Sequence, residues 1–86
     1  MRKLSEDEAS EIRRKRIFLT KHFTMREITR VNFYQIKRVM EEGEIYQEGK
    51  NKYRASVQIR EKIIFVLFAS YEDYNVVITT GITTKK

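Results

Sequence analysis

The most regular hydrophobic pattern in the first half of the chain has a helical period. Phe33, Ile36, Val39 and Met40 recur at three- and four-residue steps, and Gly43 follows them. This spacing predicts an amphipathic helix of about 11 residues. We expect the helix to end at the glycine, the residue type most common just beyond a helix.

Two weaker helical patterns precede this helix. Ser5 and Glu8 have the spacing of a capping box, which predicts a helix from about residue 6 to residue 16. Its apolar stripe is thin, so we expect it to be peripheral. A further helix is predicted over about 21–29, and the segment 16–20 (RIFLT) between the two is interpreted as a brief strand or a hydrophobic staple.

From residue 44 onward the hydrophobic period becomes that of strands. Residues 52–60 (KYRASVQIR) alternate between an apolar side and a basic, polar side, as in a strand buried on one face. Residues 63–70 (IIFVLFAS) are apolar on nearly every position, which favours a central strand. Shorter strands are predicted at 44–48 and 76–82. The predicted fold is α+β, with two or three N-terminal helices packed on one face of a three- to four-stranded antiparallel sheet.

Length and composition limit the classes of function. The 86 residues are enough for a single domain (1–86), in which we expect a peripheral helix at 1–16 and a core at 17–82. With no cysteine and one histidine, neither a metal site nor a cofactor is expected. The longest apolar run is far shorter than the roughly 20 residues of a membrane span. The N-terminus also lacks the apolar stretch of a secretory signal. We therefore expect a cytoplasmic protein without a membrane partner.

The charge balance indicates the kind of partner. Eighteen Lys and Arg residues face twelve Asp and Glu residues, which gives a net charge of +6. A positive net charge of this size suits a polyanionic partner, and nucleic acid is the commonest such partner.

One row of basic residues has the spacing of a helix face. His22, Arg26 and Arg30 stand at i, i+4 and i+8. Like charges at this spacing repel one another unless an anion lies between them. Arginine binds phosphate in bidentate fashion, and a neutral histidine beside two arginines can act as a general base toward a ribose hydroxyl. The alternative is a solvated basic face on which the histidine has no catalytic role.

A second set of basic residues follows in the predicted hairpin. We call Lys50, Lys52, Arg54 and Arg60 the hairpin group; Tyr46 and Tyr53 are interleaved with it. Cations between aromatic rings are typical of RNA-facing surfaces. Tyr53, however, falls on the apolar side of its strand and is expected in the core. Lys85, in the basic C-terminal tail, is a further candidate for RNA binding.

The order of these features resembles the small BrnT-like and RelE-like toxin superfamily. The resemblance covers residues 17–82 and rests on the H-x-x-x-R-x-x-x-R row, a following helix that ends in Gly43-Glu44, and the strands IIFVLFA and VVITT. Within this superfamily, the chain is most similar to an uncharacterised domain family related to BrnT. The break between the two helices is shorter here, at Val31-Asn32.

The resemblance implies a metal-independent endoribonuclease that acts on mRNA, in some cases on the ribosome, and is held inactive by a cognate antitoxin protein. His22 would then be the general acid or base, with Arg26 and Arg30 on the scissile phosphate, and the hairpin group on the flanking RNA. Two other functions fit the residues. One is a non-catalytic nucleic-acid-binding module. The other is a protein-binding module that uses the N-terminal helix or the edge of the hairpin.

Overall fold

A computed structural model describes residues 1–20 and 33–84 of the protein. Within these residues the chain forms six strands and two helices. In chain order they are β1 (Arg2–Lys3), α1 (Glu6–Arg13), β2 (Arg16–Leu19), α2 (Phe33–Glu42), β3 (Glu44–Gln47), β4 (Lys52–Ile59), β5 (Lys62–Ser70) and β6 (Tyr74–Thr84). The predicted helix over 21–29 lies outside the described residues.

All six strands belong to one mixed sheet, in the order β1-β3-β4-β5-β6-β2. Strands β3 to β6 form an antiparallel meander, to which β1 adds antiparallel beside β3 and β2 adds parallel beside β6. The predicted three- to four-stranded antiparallel sheet is therefore wrong. The two edge strands have only two and four residues, too few for a readable period, and each pairs with a strand from the far half of the chain.

The predicted long strands are confirmed. Strand β4 keeps the expected alternation, and β5 lies in the middle of the sheet with β4 and β6 as neighbours. Both described helices pack on the same side of this sheet, which we call the core face. The core consists of Leu4, Ala9, Ile12, Ile36, Val39, Met40, Ile45, Ala55, Ile64, Val66, Phe68 and Val77.

Helix α1 begins at the predicted capping box. The Glu8 amide donates to the Ser5 hydroxyl, and the Glu8 carboxylate accepts from the Ser5 amide. The helix ends at Arg13 instead of residue 16, because the chain from Arg16 onward pairs with β6. The side-chain amide of Asn75, fully buried in β6, donates to the carbonyl oxygen of Ile12 at 3.0 Å. This bond fixes the end of α1 over the sheet.

Arg13 joins the two helices. Its guanidinium donates to the carbonyl oxygens of Met40 at 3.2 Å and Gly43 at 3.0 Å, and pairs with Glu6 at 2.8 Å. The last carbonyls of a helix have no partner within the helix, and a cation near them is stabilising. Arg13 thus closes the C-terminal end of α2.

Helix α2 is the predicted amphipathic helix, and Gly43 follows its last residue as expected. The reason for glycine is a close approach rather than a left-handed backbone, since no glycine of residues 1–20 and 33–84 has positive φ. A Cβ at position 43 would lie 2.5 Å from the backbone oxygens of both Ser56 and Val39. Glycine therefore lets the end of α2 lie directly against β4.

The second side of the sheet, which we call the open face, carries no helix from the described residues. Alternate residues of β5 that point to this side (Ile63, Phe65, Leu67 and Ala69) are half-buried, whereas the residues between them are buried. The open face is therefore an apolar floor that remains partly accessible.

Candidate nucleic-acid interface

Four of the predicted site residues cannot be placed. His22, Arg26, Arg30 and Lys85 lie outside the described residues. The row of three belongs to the connection between β2 and α2. Leu19 and Phe33, the residues that bound this connection, are both in place. The site can therefore be built only from the surface around them and from the hairpin group.

The structure does not bring the hairpin group together. Lys50 lies in the turn before β4, and Lys52 begins the strand, whereas Arg60 lies in the turn after it. Eight residue steps from Lys52 to Arg60, at about 3.3 Å each, separate these two cations by about 26 Å. Lys50, Lys52 and Arg54 therefore share one end of the hairpin, and Arg60 lies at the other end.

Arg54 is held by its neighbours. Its Nε donates to the Glu48 carboxylate at 2.8 Å, and its guanidinium lies over the ring of Phe65, 5.0 Å from the ring centroid. The side chain is partly buried in this position. Among the hairpin cations, Arg54 already has both an ion pair and a cation–π contact, whereas the exposed Lys50 and Lys52 form no ion pair within the described residues.

The two interleaved tyrosines are engaged as well. Tyr53 stacks on Phe68 with ring centroids 5.7 Å apart and packs against the core, as predicted. The Tyr46 hydroxyl donates to the Glu44 carboxylate at 2.7 Å. This bond, followed by the charge of Lys3, lowers the pKa of the Glu44 carboxyl, and the same bond raises the pKa of Tyr46. The Tyr53 ring is therefore occupied, and the Tyr46 hydroxyl is held by an acid at the end of the hairpin.

A row of residues crosses the open face from Lys52 to the opposite edge of the sheet. The register pairs Lys52 with Ala69, Ala69 with Val76, and Val76 with Phe18. Three strand spacings of about 4.8 Å separate Lys52 from Phe18 by about 14 Å. The row thus has a cation at one end, an aromatic ring at the other, and small apolar residues between them.

Exposed aromatic rings gather at the Phe18 end of the row. Phe18 is 49% exposed and meets the Tyr74 ring edge-on, with centroids 5.7 Å apart. Tyr74 in turn contacts Tyr71 at 5.2 Å, and both tyrosines are exposed. Arg16 pairs with Tyr74 in the β2–β6 register and is also exposed. We call Phe18, Tyr71 and Tyr74 the aromatic corner.

Beside this corner a groove of about 390 Å³ lies between β2, the end of α1 and α2. We call it the β2 groove; it is lined by Arg13, Lys15, Arg16, Ile17, Phe18, Phe33, Lys37, Met40 and Glu41. The groove has the size of a small ligand site. Four cations and a single acid line it, so it favours an anion.

Two of these four cations are structural. Arg13 closes α2, and the Lys15 ammonium donates to the Tyr71 carbonyl at 2.6 Å and to the Ser70 hydroxyl at 3.3 Å. Arg16 and Lys37 are exposed and form no ion pair within residues 1–20 and 33–84. These two are the cations of the groove that are available to a ligand.

The sequence did not reveal the importance of Arg16, Phe18, Lys37 and Tyr74. The segment 16–20 indicated a brief strand or a hydrophobic staple. The partner of that strand was not visible, because a parallel pairing between distant segments leaves no local pattern. Phe18 and Tyr74 became neighbours only through this pairing.

Other kinds of site find no support in the described part of the chain. No group of three or more His, Asp or Glu side chains there could hold a metal ion. Neither described helix has the length and apolar character needed to cross a bilayer. Comparison of the chain with known protein families, with curated proteins and with solved structures finds no match.

Proposed function

We propose that the protein binds single-stranded RNA across the open face, from the aromatic corner to Lys52. The observation that carries the proposal is the cross-strand row that joins Lys52 to Phe18 over about 14 Å of apolar floor. The exposed rings at one end of the row can stack on bases, and the cations at both ends can bind phosphates. Binding of a single strand requires both kinds of contact.

The first contact is stacking. Bases of a single strand stack on exposed aromatic rings, and each such contact contributes about 1–3 kcal/mol. Phe18 is the most exposed ring of the aromatic corner, and its contact with Tyr74 limits its motion. A base that stacks on Phe18 would rest on a ring that loses little freedom upon binding.

The second contact is with phosphate. Arg16 stands beside the aromatic corner, and Lys52 lies at the far end of the row. Lys37 lines the β2 groove, which is reached from Phe18 around the edge of the sheet. All three side chains are exposed and form no ion pair within the described residues.

A duplex presents its bases edge-on within the helix, so the stacking contact favours a single strand.

Fluorescence anisotropy with a labelled single-stranded RNA of about 12 nucleotides tests the proposal. We expect Phe18→Ala to weaken binding by about 5- to 150-fold, the equivalent of one lost stack. The control is Ile59→Ala, which removes an exposed apolar side chain from the distant end of β4. Unchanged affinity in Phe18→Ala would exclude the aromatic corner as the binding surface.

A matched pair of lysines tests the phosphate contact. Lys52 and Lys62 are both exposed and begin adjacent strands, but they lie at opposite ends of the hairpin. We expect Lys52→Gln to reduce the dependence of log affinity on log salt concentration by about 0.7, the value for one phosphate contact on a single strand. Lys62→Gln should leave the slope unchanged. Equal effects in both variants would indicate nonspecific attraction to the net charge.

A second candidate function is the endoribonuclease that the resemblance implies, with a cognate antitoxin as its partner. One observation favours it: Phe18 and Phe33, which stand at either side of the connection containing His22, Arg26 and Arg30, both line the β2 groove. RNA bound at the groove would thus be close to where this connection leaves β2 and enters α2. Metal-free cleavage of mRNA by the purified protein is the expected activity.

His22→Ala separates the two functions. At unchanged thermal stability, this variant should lose cleavage while it keeps the RNA affinity of the unmodified protein, because the binding surface consists of other residues. Cleavage that survives the substitution would remove His22 from the reaction. Binding without any cleavage by the unmodified protein would leave the binding module as the function.

A further inference from the structure

Among residues 1–20 and 33–84, the C-terminal half of β6 forms a sheet edge. Strand β2 pairs with β6 only as far as Val77, whereas β6 continues to Thr84. A bulge at Ile78 marks the change, since Phe68 pairs with Val77 but Leu67 pairs with Thr79. On the side away from β5, no strand of the described residues pairs with the segment 78–84, which we call the free edge.

The free edge lacks the usual protection of sheet edges. Its sequence is ITTGITT, without a charged residue or a proline, in a chain of which 35% is charged. Natural sheets keep exposed edges from pairing by means of charges, proline or very short strands. Ile78 and Ile82 are 42% and 46% exposed, although both belong to the residue type most often buried. A seven-residue edge with two exposed isoleucines has the properties of an interface.

We propose that the free edge pairs antiparallel with the same segment of a second copy of the chain. The segment consists of two identical ITT triplets around Gly81. A two-fold axis through Gly81 therefore pairs Ile78 of one copy with Thr84 of the other, and Ile82 with Thr80, each twice. It also pairs Thr79 with Thr83, and threonine pairs across two strands are favourable neighbours.

Charge argues for a second copy over other occupants. The free edge offers no cation to RNA and no charge to a charged peptide. Two copies that each carry +6 repel one another, so a neutral segment is where they can approach most closely. The resulting sheet would run continuously through both copies, with the open faces side by side. This inference does not depend on the proposed RNA binding.

The expected dimer is weak. Edge pairing over seven residues buries less than the roughly 1,600 Å² of a standard interface, so we expect association that depends on concentration in the micromolar range. Sedimentation velocity of the full chain over a range of about 1 µM to 1 mM measures it. The dimer should become stronger as salt rises, because salt screens the repulsion between copies.

Two variants place a charge on the free edge. We expect Ile82→Lys, and independently Ile78→Lys, to raise the dimer dissociation constant at least 10-fold. Ile59→Lys is the matched control, because Ile59 is similarly exposed at 38% but lies at the end of β4, away from the free edge. Its dimerisation should equal that of the unmodified protein. A dimer that Ile59→Lys disrupts and the edge variants do not would overturn the proposal.

Hydrogen exchange gives a test without substitutions. Amides of the free edge should exchange more slowly at dimer-forming concentration than at high dilution, whereas those of the β4–β5 turn should not change. A chain that stays monomeric up to about 1 mM, or a dimer without added protection over 78–84, would contradict the inference.

Discussion

The ring of Phe65 lies over Gly81 on the open face. A Cβ at position 81 would stand 2.5 Å from Cζ of the ring, far inside van der Waals contact. The two residues are direct partners in the β5–β6 register. On its other side the ring meets the guanidinium of Arg54, so the missing side chain of Gly81 lets Phe65 lie where Arg54 can cover it.

A double-mutant cycle tests this relationship. In a Phe65→Ala background, Gly81→Ala should stabilise the protein by about 0.5–1 kcal/mol, because alanine is less costly than glycine in a strand. With Phe65 present, the gain should vanish or change sign, since the ring must move away from Arg54. Chemical denaturation of the four proteins gives the coupling energy, which we expect to be at least about 0.5 kcal/mol. Additive effects would show that the ring does not depend on the glycine.

Gly43 and Gly49 form a matched pair for the close approach of α2 to β4. A methyl group at position 43 would meet two backbone oxygens at 2.5 Å, and backbone cannot move aside as a side chain can. We expect Gly43→Ala to lower the free energy of unfolding by about 1–3 kcal/mol. Gly49 has only the Lys52 Cβ at 3.6 Å, so Gly49→Ala should be neutral or stabilising. Similar losses in both variants would contradict the steric explanation.

Arg60 holds a backbone conformation that suits glycine. Its φ of 57° is the only positive value among the non-glycine residues described, and it follows Ile59 in the tight turn closed by the Ile59–Lys62 pair. Turns of this kind favour glycine at their first central position. We expect Arg60→Gly to raise the free energy of unfolding by about 0.5–1 kcal/mol. Arg60→Gln removes the same charge but keeps the strain, so it should give no such gain in denaturant titrations.

The capping box gives the stability a defined acid dependence. The Arg2 guanidinium, followed by the amide and hydroxyl of Ser5, lowers the pKa of the Glu8 carboxyl from its ordinary 4.5 to about 2. A pKa lowered by folding contributes stability above the ordinary value, and this contribution disappears as the pH falls from about 4.5 to about 2.

We therefore expect Glu8→Gln to melt at a lower temperature than the unmodified protein above pH 5, and the difference to close as the pH approaches 2. Thermal unfolding followed by circular dichroism across this range measures it. Glu11→Gln, on the same helix but outside the capping box, is the control. A gap between the curves that stays constant down to pH 2 would disprove the linkage.

Several elements could be predicted because their signals are local. The stripe from Ile36 to Met40 predicted α2, the alternation over 52–60 predicted β4, and Ser5 with Glu8 predicted the start of α1. The first two signals are periods of burial along consecutive residues, and the third is the spacing of two capping side chains. In each case neighbouring side chains suffice to define the element. The basic character of Lys52 was equally visible, although its place in a binding surface was not.

The tertiary structure alone decided which strands flank the antiparallel meander. The pairing of β2 with β6 placed Phe18 beside Tyr74, aligned it with Lys52 across the sheet, and ended at Val77, which left the free edge of β6. Periodicity states which side chains a strand buries, but hydrogen bonds between distant backbones carry no sequence signature of their own. The sequence therefore determined the elements and their buried sides, whereas the order of strands in the sheet determined the surfaces on which function is proposed.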